Sequence, residues 1–79
     1  MLRNIYEYIK DDEFRFTIFN NRIHIINYVK IVSLNSDFIL VESNDRKISI
    51  KGEELVLNKM LDKEILVIGR INSIEVLYG

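Results

Sequence analysis

Apolar and charged residues alternate through "NDRKISIKGEELVLNKM", residues 44 to 60, and a period of two marks strands with one wet face. The best specified element is the hairpin from Phe38 to Lys51. With Asn44-Asp45 as a two-residue turn, Ser43 faces Arg46, Glu42 faces Lys47, Val41 faces Ile48, Leu40 faces Ser49 and Ile39 faces Ile50. This register gathers residues 39, 41, 48 and 50 on one side and sets opposite charges across from each other at 42 and 47. A slip of one residue would scatter the apolar face.

Lys51-Gly52-Glu53-Glu54 then interrupts the pattern. As a four-residue connection it pairs Ile50 with Leu55 and Ile48 with Leu57, with Gly52 supplying a positive φ. Asp62-Lys63-Glu64 turns the chain again. In the last strand Ile65, Val67 and Ile71 keep one phase, whereas Ile74, Val76 and Tyr78 keep the other, so a bulge is expected at Asn72-Ser73. Gly69 inside that strand predicts a bend or the close approach of another backbone.

Upstream, "EFRFTIF" alternates as a strand, and Asn20-Asn21 follows as a turn pair tolerant of the left-handed conformation. The run "RIHIINYVKIVSL" is too long for a plain strand and changes phase at Ile25-Ile26. A bulge or sharp bend there would carry the chain from one part of a closed sheet to another. Residues 1 to 12 break the period: Leu2, Ile5, Tyr6 and Ile9 fall at helical spacing, opposite Arg3, Asn4, Glu7 and Lys10. The expected fold is mainly β, a small antiparallel meander of five to six strands over residues 14–78. It is bent or rolled into a barrel-like sheet and preceded by a short amphipathic helix over 1–12, all in one domain.

Composition narrows the function classes. In 79 residues, 11 Lys and Arg balance 12 Asp and Glu, and the pI is about 5.8, so the basic stripe of a nucleic-acid binder is missing. With no cysteine, disulfides and thiolate metal sites are excluded. No apolar run approaches the ~20 residues of a bilayer span, and no signal-peptide core is visible. A cytoplasmic protein without direct membrane insertion is expected.

Candidate chemistry is sparse. His24 is the single histidine and has no companion ligand for a metal. The acidic groups Asp11-Asp12-Glu13 and Glu53-Glu54 sit at element boundaries, where solvated charges belong. Gly52 and Gly69 open no phosphate loop, since no Gly-Lys-Ser/Thr follows. No catalytic, cofactor or metal residue is expected, and the protein reads as a non-enzyme. The runs "FILV" and "ILVI" lack the alternation of a strand with one wet face. Phe38, Leu40, Leu66 and Ile68 are therefore either an exposed contact patch or the seat of the helix face formed by Leu2, Ile5, Tyr6 and Ile9.

The string "ISIKGEELVLNKMLDKEILVIGRINSIEVLY" has the form apolar-x-apolar-x-Gly-x-x-Leu-x-apolar, then a polar break, then apolar-x-Gly-x-Ile-x-Ser-Ile. It resembles the YabP/YqfC family of small sporulation proteins of endospore-forming bacteria. The resemblance covers residues 14 to 78 and is carried by Gly52, Leu55, Gly69, Ile71 and Ile74. Family members often have glycines where Asn20-Asn21 and Asn44-Asp45 stand here, and asparagine reaches the same backbone region. The resemblance implies a structural role in spore formation inside the mother cell, with no catalytic residue. It also implies a protein partner, an integral membrane sporulation protein, with this chain peripheral to the membrane surrounding the forespore, and leaves homo-oligomerisation open. The rival reading is a nucleic-acid module of the Sm-like or SH3-like small β-barrel class, which a helix followed by about five strands also fits.

Overall fold

The computed structural model describes residues 14–78. The helix expected over residues 1–12, with Leu2, Ile5, Tyr6 and Ile9, lies outside the described residues. Six strands follow: β1 (Arg15–Ile18), β2 (Arg22–Ile26), β3 (Lys30–Leu34), β4 (Phe38–Glu42), β5 (Arg46–Leu61) and β6 (Glu64–Tyr78). They form one antiparallel sheet in the order β1-β2-β6-β5-β4-β3. The sheet is not closed, because β1 and β3 end it without pairing with each other. It is also not a simple meander, since the chain leaves β2 on one side and resumes as β3 on the far edge.

The β4–β5 hairpin has the register read from the sequence: Ile39 opposes Ile50, Leu40 opposes Ser49, Val41 opposes Ile48 and Glu42 opposes Lys47. The charge pair at its end brings Lys47 Nζ to 3.9 Å from Glu42 Oε2. Asn44-Asp45 and Asn20-Asn21 are both two-residue turns, but neither pair uses the left-handed region, contrary to expectation. Side-chain bonding replaces it at Asn44-Asp45. The Ser43 hydroxyl accepts from the Arg46 N–H at 3.1 Å, and the Ser43 N–H donates to the Arg46 carbonyl at 2.7 Å. At Asn20-Asn21 the Phe19 N–H donates to the Arg22 carbonyl at 2.8 Å.

The expected connection at Lys51-Gly52-Glu53-Glu54 is absent. β5 runs straight through these residues and pairs with β6 along its length, so Ile50 meets Ile74 and Leu57 meets Val67 rather than Leu55 and Ile48. The interruption is a pair of opposed bulges. Lys51 faces Ser73 but Gly52 faces Ile71, leaving Asn72 as an extra residue of β6, where the phase change of the sequence places it. Glu53 faces Arg70 but Val56 faces Ile68, leaving an extra residue in β5 against Gly69. Gly52 serves close approach and not positive φ: a Cβ there would sit 2.0 Å from the Arg70 carbonyl oxygen. Gly69 adopts φ +145, and a Cβ on it would meet the Glu54 carbonyl oxygen at 2.7 Å. Glu54 takes the positive φ (55) that the sequence reading assigned to Gly52.

Bulges bend the strands that carry them, and this bend divides the sheet into two arms. One arm holds β1, β2, residues 56–61 of β5 and residues 64–68 of β6. The other holds β3, β4, residues 46–53 and residues 70–78. Ile23, Ile25, Ile65 and Val67 of the first arm join Ile39, Val41, Ile48 and Ile50 of the second in one cluster without solvent exposure. Each such side chain contributes about 2–3 kcal/mol on burial. The link between arms is also shifted from its expected place. β2 ends at Ile26, Asn27 turns with φ 65, Tyr28 is buried and β3 begins at Lys30. Of the bulge or sharp bend expected at Ile25-Ile26, the structure shows a sharp corner, one residue later at Asn27 and between two separate strands.

At Gly52 an added methyl group meets rigid backbone. Gly52→Ala should lower stability by about 3 kcal/mol, at the upper end of overpacking costs, as read from urea denaturation. The hairpin substitution Asn44→Ala should change it by less than about 0.5 kcal/mol, because the Ser43 hydroxyl closes that turn.

Candidate functional site

Residues facing each other across an antiparallel pair share one side of the sheet. On the first arm Ile65 and Val67 point inward, so Glu64, Leu66 and Ile68 point outward together with their partners. Ile68 lies between Arg22 and Val56, Leu66 between His24 and Asn58, and Glu64 between Ile26 and Leu61. Val56, Leu61 and Ile68 are 54%, 69% and 37% exposed, and Leu66 is half-buried. Met60, an extra residue between the Lys59–Ile65 and Leu61–Glu64 pairs, is 52% exposed beside them. The result is an apolar strip along the outward side of the β5–β6 ribbon, ending at its Asp62-Lys63 turn.

Two of the four sheet residues singled out in the sequence, Leu66 and Ile68, belong to this strip. Phe38 and Leu40 do not. They lie on β4 in the other arm, opposite Lys51 and Ser49, and are half-buried. The bend separates the two pairs. Val56, Met60 and Leu61 escaped the sequence reading, although the unbroken run Leu55-Val56-Leu57 carried the same signal as "FILV" and "ILVI".

His24 is half-buried on this outward side, and its Nε2 lies 2.5 Å from Glu64 Oε2. The contact joins β2 to the start of β6. Arg46 does comparable work on the second arm: its guanidinium lies 6.0 Å from the Phe14 ring and 5.6 Å from the Tyr78 ring. Cations over aromatic faces are attracted to the ring quadrupole, so Arg46 draws both ends of the described chain to one hairpin. Asp45 balances it at 3.6 Å. Both arrangements fasten strands.

Among the described residues no three His, Cys, Asp or Glu side chains gather in a group able to hold a metal ion. Nor is any helix among them long and apolar enough to cross a membrane. The glycine-marked bend and the two apolar strands leading into it are the features on which the family resemblance rests. The model of the YabP family matches residues 13–78. The chain belongs to the YabP family. No curated protein and no solved structure matches it. Within this YabP-family chain the match spans every described strand, so the outward strip and the bend both lie inside it.

The His24–Glu64 contact can be measured by a double-mutant cycle. His24→Ala and Glu64→Ala should each cost about 1 kcal/mol in chemical denaturation, below the range for buried charged hydrogen bonds because both groups are partly exposed. The double variant should cost little more than either single one.

Proposed function

We propose that this YabP-family protein is a non-enzymatic assembly protein of endospore formation that works by protein–protein contact in the mother-cell cytoplasm. The family match over residues 13–78 carries the sporulation part of this reading. The contact part rests on the outward strip of Val56, Met60, Leu61, Leu66 and Ile68. Exposed apolar surface on a small protein marks interaction sites, and here it lies outside the core, on the outward side of the ribbon up to its Asp62-Lys63 turn. The partner that suits it is a protein presenting an apolar strip of its own. The resemblance points to an integral membrane sporulation protein at the membrane around the forespore, with the present chain lying against it and not inserted.

Cells producing the double variant Val56→Glu/Ile68→Glu should form heat-resistant spores at the reduced level of a strain lacking the gene. The purified variant should remain folded, losing about 1 kcal/mol because the two new carboxylates face each other across the β5–β6 pair. Normal spore counts with the variant would remove the strip from the reading, and normal counts without the gene would remove the sporulation role.

A further inference from the structure

Four stretches of the described chain have a neighbouring strand on one side only: β1, β3, residues 56–61 of β5 and residues 71–78 of β6. Open edges invite pairing with another chain, and proteins blunt them with bulges and charges. Three of these edges are blunted. β3 carries an extra residue at Val32, residues 56–61 carry Lys59 and the bulged Met60, and residues 71–78 begin at the Asn72 bulge and contain Glu75. β1 is different. Its register with β2 is unbroken from Arg15–Ile26 to Ile18–Ile23, and Ile18 and the adjacent Phe19 are 53% and 51% exposed.

The hydrogen-bonding phase of β1 follows from its turn. The Phe19 N–H donates toward β2, and backbone groups alternate sides along an antiparallel strand. Thr17 and Arg15 therefore bond toward β2, while the N–H and C=O of Phe16 and Ile18 point to the open side. We infer that β1 pairs antiparallel with β1 of a second copy about a two-fold axis at Thr17, joining two sheets edge to edge. In this register Phe16 of each chain exchanges backbone hydrogen bonds with Ile18 of the other, and the two side chains meet on the inward side. Arg15 of each chain comes opposite Phe19 of the other, an arrangement that sets a cation beside a ring. In-register parallel pairing would place Arg15 beside Arg15 and is disfavoured by like charge. The match of a strand to itself under a two-fold axis is what an isologous dimer requires.

This pairing goes beyond the assembly role proposed above and uses a different edge from the apolar strip, so either can fail alone. Sedimentation of the full chain over a concentration series should give twice the 9.4 kDa of one copy. Ile18→Pro removes an N–H on the open side and leaves the bonds to β2 intact; it should halve the mass. Leu34→Lys, on the β3 edge, should leave the doubled mass unchanged. In the unmodified protein the Phe16 and Ile18 amides should exchange slowly when concentrated and lose that protection on dilution. This measurement, with Ile18→Lys, decides the matter if the proline variant does not fold. A single-chain mass at every concentration would overturn the pairing. So would a mass halved by Leu34→Lys, or protection at Phe16 and Ile18 that dilution leaves untouched, which would put residues 1–13 of the same chain on that edge.

Discussion

Two backbones touch where β5 and β6 bend, and the rest of the molecule depends on that contact. Gly52 lies against the Arg70 carbonyl and Gly69 against that of Glu54, at separations that admit no Cβ. Opposed bulges at Asn72 and at Glu54-Leu55 turn both strands together. A straight ribbon of this length would leave its apolar side open to water. Bent, it brings the β2–β6 isoleucines and the β4–β5 isoleucines into one cluster without exposure. Backbone bonds from neighbouring segments fix the bend: the Gly52 N–H donates to the Asp37 carbonyl at 3.1 Å, and the Leu55 N–H to the Ser36 carbonyl at 2.7 Å. The Gly69 N–H reaches the Asn21 carbonyl, also at 3.1 Å. The β3–β4 and β1–β2 turns thus serve as clamps on the kink.

The bend also determines what faces outward. Each arm buries one side of its strands, so the opposite side is free for contact or solvent. On the second arm that side is largely polar, with Ser33, Ser49, Lys30, Glu42, Lys47 and Lys51 around Leu40 and Phe38. On the first it carries the strip from Val56 to Leu61 with Ile68 and Leu66. This asymmetry follows from residue choice at alternate positions and requires no pocket.

Local pattern made some of this legible. The Phe38–Lys51 hairpin could be read because its two strands are neighbours in sequence, and the charge pair and isoleucine row admit one register. The Asn72 bulge was visible as a change of phase. Gly52 misled because a glycine among charged residues reads equally well as a turn or as a place where another backbone passes. The passing backbone, at Arg70, is 18 residues further along. The pairing of β2 with β6 was hidden for the same reason: Ile23 and Ile25 need partners, but nothing near them says that Ile65 and Val67 are those partners. Of the expected contact residues, Leu66 and Ile68 sit on the exposed strip, while Phe38 and Leu40 are separated from them by the bend.

Cross-strand NOEs test the account most directly at the point where two architectures diverge. Continuous strands bent at the glycines predict contacts of Ile50 with Ile74, Gly52 with Ile71 and Leu57 with Val67. Contacts of Ile50 with Leu55 and of Ile48 with Leu57 would mean that the chain reverses at Gly52. Such a reversal would remove the bend, the shared core and the outward strip together.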